Sequence, residues 1–278
     1  MKVEITRREL AGVALGAGFA LAVQPVAAGT IVTPEDGLDV ADVEIQTADR
    51  KIPGYRARPK GGKSEAVVIV TQEIFGVHEH IRDLCRRLAK AGYYAIAPDL
   101  YVRQGDPTTV EDIKTLVSTI VAKVPDDQVM SDLDFTAAFA GQDGADDAKL
   151  GITGFCWGGR IVWLYAAHQP NLKAGVAWYG KLTGEADPLH PRHPVDVAKD
   201  LKCPVLGLYG GKDGGIPPES VAAMRAALGP ESPSSIHVYP DAPHGFNADY
   251  RDSYVEADAK DGWAKMLAFF AANGVGAA

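Results

Sequence analysis

Four side chains able to do chemistry occupy equivalent places in the pattern of this chain: Glu73, Cys156, Asp213 and His244. Each follows a short apolar run that reads as a strand. Cys156 has the most telling surroundings. Lys149 to Leu164, KLGITGFCWGGRIVWL, reads as a strand from Leu150 to Gly154, a tight turn, and a helix starting at Trp157 or just after. Gly154 and Gly158 bracket the cysteine in a G-x-C-x-G pattern, that of a nucleophile elbow with cysteine in place of serine. On a strained strand-to-helix turn, neighbours without a Cβ let the backbone pack closely and the central side chain project from the sheet edge. The Trp157 N–H then stands at a helix N-terminus, where it favours both a thiolate and a developing oxyanion. A cysteine between a strand and a helix is also often just a small buried hydrophobe. The flanking glycines favour chemistry, and partners elsewhere must decide.

Asp213 closes Tyr209-Gly210-Gly211-Lys212-Asp213 after one strand, and His244 lies in Asp241-Ala242-Pro243-His244-Gly245-Phe246 after the last. The order nucleophile, acid, histidine is that of the α/β-hydrolases. Catalytic groups in open α/β sheets collect at the carboxyl ends of the strands. There His244 can accept the thiol proton while Asp213 orients the ring and stabilises the imidazolium. Asp213 could instead bind the amides of its own turn, and His244 could be a solvated loop residue. The other histidines are weaker candidates. His78 and His80 open a helix, His168 is near a helix end, His190 and His193 lie in a loop, and His237 sits within a strand. Glu73 stands between an apolar strand and Ile74-Phe75, which should desolvate it and raise its pKa, as suits a proton acceptor.

The elements that must position these groups alternate along the chain. Val40 to Pro59 reads as a hairpin opening the sheet, and Ala66 to Val70 as a central strand buried on both faces. Ile81, Leu84, Cys85, Leu88 and Ala91 recur at helical spacing up to Gly92. Strands follow at Tyr94 to Ala97, Ala174 to Tyr179, Val205 to Tyr209 and Ile236 to Tyr239. Helices are predicted over about Thr109 to Ala122, Gln128 to Ala140, Pro217 to Leu228 and Ala257 to Ala272, and Leu182 to Lys199 reads as a surface loop. This alternation predicts an α/β fold, a mostly parallel central sheet with helices on both faces, in a single domain over residues 29–278.

With 278 residues, 46% apolar and 23% charged, the chain has the composition of an ordinary globular protein. Its net charge of −8 argues against nucleic acid or an anionic membrane as partner. Three cysteines, Cys85, Cys156 and Cys203, form neither a disulfide framework nor a metal-ligand spacing. Residues 1–28 resemble an export signal. Lys2, Arg7 and Arg8 precede an uncharged stretch from Leu10 to Val23, and Val26-Ala27-Ala28 offers small residues for cleavage. Thr6-Arg7-Arg8-Glu9-Leu10 resembles the twin-arginine motif. The expectation is a periplasmic or secreted protein, handled by the twin-arginine machinery, with no stable membrane span once mature.

Taken together, Gln72-Glu73-Ile74-Phe75-Gly76, Pro98-Asp99-Leu100-Tyr101, Gly154-Phe155-Cys156-Trp157-Gly158-Gly159, Tyr209-Gly210-Gly211-Lys212-Asp213 and His244-Gly245-Phe246 resemble the dienelactone hydrolase family. The resemblance runs from about Val43 to the closing helix. It implies an α/β-hydrolase fold without a large lid, a Cys156–His244–Asp213 triad, no cofactor and no metal. The implied reaction is hydrolysis of an enol-lactone such as 4-carboxymethylenebut-2-en-4-olide to maleylacetate. It further implies that Glu73 activates the thiol and that the Ile74 and Trp157 N–H groups form the oxyanion hole. Of the two arginines that hold the substrate carboxylate in the family, Arg103 matches the first; Ala248 stands in place of the second, with Arg251 nearby. A monomer acting on a small ester or lactone is expected. Two other readings stay open: a broad carboxylesterase or thioesterase for neutral substrates, or a periplasmic binding or redox-sensing protein whose thiol is oxidised and not acylated.

Overall fold

The computed structural model describes residues 30–277, so the stretch read as an export signal lies outside the described residues. The chain begins with a hairpin, β1 (Leu38–Gln46) and β2 (Lys51–Pro59), and continues through β3 (Ala66–Thr71), α1 (Glu79–Lys90) and β4 (Tyr94–Pro98). Next come α2 (Ile113–Thr119), α3 (Asp126–Gln142), β5 (Asp146–Phe155), α4 (Trp157–His168) and β6 (Ala174–Trp178). The remainder is α5 (Pro194–Val197), β7 (Val205–Gly210), α6 (Pro218–Leu228), β8 (Ser235–Tyr239) and α7 (Glu256–Ala272). The sheet order is β1-β2-β4-β3-β5-β6-β7-β8, parallel from β4 to β8 and antiparallel at the β1 and β2 edge. It is the mostly parallel sheet with flanking helices of an α/β-hydrolase-type fold.

Burial explains the strand compositions. β3 and β7 are buried along their whole length, so they are continuous apolar runs, whereas edge strand β1 alternates. α1 turns Ile81, Leu84, Cys85 and Leu88 inward, and Gly92 follows it with φ 94°, the left-handed conformation that ends a helix. α3 and α4 pack together on one face of the sheet. On the other face α1 and α7 border a shared cleft that includes Ile31, Arg87, Lys90 and Trp263. Along α1 the incoming chain is tied down: the Thr33 N–H donates to Asp83 Oδ1 (2.5 Å), Arg86 Nε donates to the Thr33 carbonyl (3.1 Å), and Lys90 donates to the Asp36 carbonyl.

Two stretches differ from the sequence expectation. The helix expected over Thr109 to Ala122 is α2 flanked by single 3-10 turns at Pro107–Thr109 and Val121–Lys123, with Asp112 capping α2 through the Thr115 N–H (2.8 Å). Leu182 to Lys199 is not a plain surface loop. It carries α5, and Leu182, His193, Pro194 and Val197 are buried. The anchor is Arg160 of α4, paired bidentately with Asp126 of α3 (2.6 and 2.8 Å) and donating to the Arg192 carbonyl (2.9 Å). Absence of periodicity therefore reflected docking by charge, which apolar spacing does not encode.

Candidate active site

Strand register assembles the site. Thr71 is opposite Gly154 and Phe155 opposite Trp178, so the loops leaving β3, β5 and β6 emerge side by side. Cys156 sits between β5 and α4 with φ 55° and ψ −114°, a left-handed conformation that a side chain enters only under constraint. The constraint is visible: the Cys156 N–H donates to the Trp178 carbonyl (3.0 Å), and the Gly159 and Arg160 amides return to the Cys156 carbonyl. At Gly154 an added Cβ would stand 1.9 Å from Thr71 Oγ1, and at Gly158 it would stand 2.4 Å from the Thr71 carbonyl oxygen. The elbow thus presses three backbones together at distances only glycine allows.

Cys156 is partly exposed, while Cys85 and Cys203 are buried. Burial pushes both of the latter thiols up, Cys203 to about 12, so neither is poised to react. His244 follows β8 and faces the elbow. Its Nδ1 is 2.7 Å from Asp213 Oδ2, and Tyr179 packs edge-on against its ring at 5.1 Å. Burial alone would lower the pKa of His244. The charge of Cys156, hydrogen bonds with Asp213 and Cys156, and the Asp213 charge outweigh burial and push it up to about 10. Asp213 meets both expectations for it: Oδ2 holds His244 while Oδ1 accepts the Gly215 N–H of its own turn (2.8 Å).

Glu73 lies beyond the end of β3 and is buried. Its Oε2 accepts the Tyr250 hydroxyl (2.6 Å) and lies 3.3 Å from His78 Nε2, whereas Oε1 is buried with no hydrogen-bond partner among the described residues. The sequence reading expected desolvation to raise its pKa. Burial does act that way, but the hydrogen bond and charge of His78, then the charges of His80 and Arg251, outweigh it and leave Glu73 at about 2. Trp157 is the first residue of α4, directly after Cys156, and Ile74 directly follows Glu73; both are half-buried.

Arg103 is elsewhere engaged. Asp49 and Asp132 each hold it through two bonds of 2.5–3.0 Å, and Thr47 Oγ1 accepts a fifth (3.0 Å). A substrate carboxylate would have to displace these partners. Arg251 is different. It has no carboxylate within 4 Å among the described residues, it reaches over the Phe75 ring at 5.8 Å, and it feels the charges of Glu73 and Cys156. His78, Tyr250 and the tied-up state of Arg103 were missed from sequence, since their partners lie from five to 177 residues away. The one available signal was Arg251, close after His244. Among the described residues no three His, Cys, Asp or Glu side chains group to hold a metal, and no helix is long and apolar enough to cross a membrane.

Known proteins match this chain across nearly their whole length. The chain is 56% identical to a Methylorubrum extorquens protein named "Putative carboxymethylenebutenolidase", with 98% of this chain and 94% of that one covered. It is 58% identical to a Salmonella typhimurium protein of the same name, covering 92% and 96%. A crystal structure from Klebsiella pneumoniae, titled a "Putative Dienelactone Hydrolase", superposes with a TM-score of 0.83 at 58% identity, covering 84% of this chain and 98% of that one. The model of the dienelactone hydrolase family matches residues 52–274. With an elbow, a histidine and carboxylates gathered at the strand ends of such a sheet, the chain belongs to the dienelactone hydrolase family.

Proposed function

We propose that this hydrolase opens activated esters and enol-lactones by covalent catalysis at Cys156, through a thioester intermediate. The observation that carries the reading is the 2.7 Å Asp213–His244 contact on a ring that Cys156 draws toward its protonated form. His244 takes the thiol proton, and sulfur bonds to the substrate carbonyl carbon. The Ile74 and Trp157 amides hold the oxyanion. When the C–O bond to the ring oxygen breaks, the enolate takes the proton from His244 and tautomerises to a ketone. Water, deprotonated by His244, then cleaves the thioester and restores the thiol. Glu73 completes the site as a buried carboxylate.

Cysteine narrows the substrate class. A thiolate, with a conjugate pKa of ~8.5, leaves a tetrahedral intermediate far more readily than an alkoxide, so alkyl esters tend to revert. An enolate or phenolate competes well. The names of the relatives support the enol-lactone. Arg251, in place of the engaged Arg103, is the cation for a substrate carboxylate. A second reading, neutral esters only, is favoured by Ala248 and by the pairing of Arg103.

The test compares turnover of the carboxylated enol-lactone and of p-nitrophenyl acetate. Cys156→Ala should lose both activities by on the order of 10⁴-fold or more. Arg251→Ala should raise KM for the lactone alone. Full activity without Cys156 rules out the mechanism; cysteine-dependent turnover of p-nitrophenyl acetate alone, without the lactone, selects the neutral-ester reading.

A further inference from the structure

The cleft between α1 and α7 takes no part in the chemistry described above. It encloses about 340 Å³ and is bordered by the incoming chain at Ile31, by α1 at Arg87 and Lys90, by α7 at Lys260 and Trp263, and by the loop after β8 at Asn247. A chain of net charge −8 thus places three cations and no carboxylate around it. Such a concentration of one sign against the overall charge points to an anion.

The cations differ in how far they are committed. Arg87 donates Nε to Asp83 Oδ2 (2.5 Å) and Nη2 to Asp249, while its Nη1 has no acceptor among the described residues. Lys260 pairs with Glu256 (2.6 Å) in an exposed contact one helical turn long, of the kind that yields easily. Lys90, exposed three residues beyond Arg87 on the same face of α1, meets only the Asp36 carbonyl, a neutral acceptor that leaves its charge unbalanced. Asn247 adds an independent sign. It is 2% exposed, and its Nδ2 has no acceptor among the described residues. Buried amides are nearly always answered, and an unanswered one costs about 1–3 kcal/mol. The rest of the lining is apolar. Trp263 and Tyr254 are half-buried, and Ile31 is one of three large hydrophobic side chains left exposed among the described residues.

We propose that the cleft between α1 and α7 binds a small amphipathic carboxylate, an apolar ring or chain carrying one negative charge. The carboxylate meets the Lys90 ammonium and the Arg87 Nη1, contacts that charge makes stronger for an anion than for a neutral group. The apolar body lies on Trp263, Tyr254 and Ile31 and takes their surface out of water. Asn247 offers its amide to an oxygen of the same ligand. The volume is near the lower end of small-molecule sites, about 300–1,000 Å³, which suits such a ligand better than a peptide. A phosphate dianion fits less well, because a single unbalanced ammonium opposes it and the walls are apolar. Nothing in this depends on the role of Cys156.

The experiment is isothermal titration calorimetry on the full chain, with phenylbutyrate as the probe and phenylbutyramide as its neutral counterpart. The acid should bind one-to-one with a Kd below ~1 mM, as expected of a ligand of that size. The amide should bind about tenfold more weakly, the worth of one hydrogen bond to a charged group. Lys90→Gln keeps a donor for the Asp36 carbonyl and removes the charge. It should weaken the acid about tenfold and the amide less than about twofold, with turnover of p-nitrophenyl acetate unchanged. Trp263→Leu should weaken both probes alike. Arg251→Ala should bind the acid as the native chain does, which separates the cleft from the substrate site. Binding of neither probe, equal binding of acid and amide, or full affinity for the acid in Lys90→Gln would overturn the assignment. So would loss of binding in Arg251→Ala, since the probe would then sit beside Cys156. Should a variant fail to fold, the comparison of acid with amide on the native chain still decides.

Discussion

At the residue scale the most informative contact is the one between His244 and its two neighbours. The ring is poised by opposing forces: burial lowers its pKa, while Cys156 and Asp213 raise it to about 10. Cys156 heads the raising causes, so its removal must shift the balance. In Cys156→Ala the imidazole should titrate at least ~1 unit lower, a change measurable by nitrogen NMR of the ring. A ring that titrates unchanged would mean that sulfur and imidazole are not coupled. The same logic separates the other residues. Arg103 has the right type and place in the sequence, yet five hydrogen bonds occupy it. Arg251 has no matching motif position, yet it feels the charges of Glu73 and Cys156 and forms no ion pair among the described residues.

At the scale of elements, α4 does more than follow Cys156. Its Arg160 binds Asp126 at the start of α3 and the carbonyl of Arg192, fastening the α5 segment beside the elbow. Arg160 and Asp126 are both nearly closed to solvent, so Arg160→Ala would leave the Asp126 carboxylate buried without its partner. We expect a loss of about 3–5 kcal/mol, the usual consequence of removing one member of a buried pair, read by urea unfolding. Replacing both residues by apolar ones should recover most of it. A single-variant loss under about 1 kcal/mol would show the pair to be solvated in practice. Most elements were legible in the sequence because each is a local pattern: all-apolar β3 and β7, the 3.6-residue spacing of α1, the glycines of the elbow. The α5 segment was not, because an arginine more than thirty residues away holds it.

Across the whole molecule, buried carboxylates set the acid limit. Glu73 has its folded pKa lowered to about 2, and Asp249, also buried, is lowered by burial-opposing contacts with His80 and Arg87. A depressed carboxylate adds stability that is complete above its unfolded value, ~4.3 for glutamate, and is lost as pH falls through the folded value. Glu73 alone accounts for roughly 3 kcal/mol of this dependence. Unfolding free energy should therefore fall between about pH 4.3 and 2, less steeply in Glu73→Gln; equal slopes would show that Glu73 is not ionised in the native state. The mostly parallel sheet and the gathering of Cys156, Asp213 and His244 were legible at this scale, because topology places strand ends together whatever the loops do. The surroundings of Glu73 were hidden, because Tyr250 reaches it across 177 residues.

The tethering of Thr33 and Asp36 along α1 has a practical side. Thr33 meets Asp83 and Arg86 in the middle of the helix, and Asp36 meets Lys90 at its end. The described chain therefore opens as a strap laid along α1, and a cut made after Thr33 would take a hydrogen-bond partner from each of two buried side chains. Anyone trimming the chain for crystals or for a fusion should stop short of Thr33.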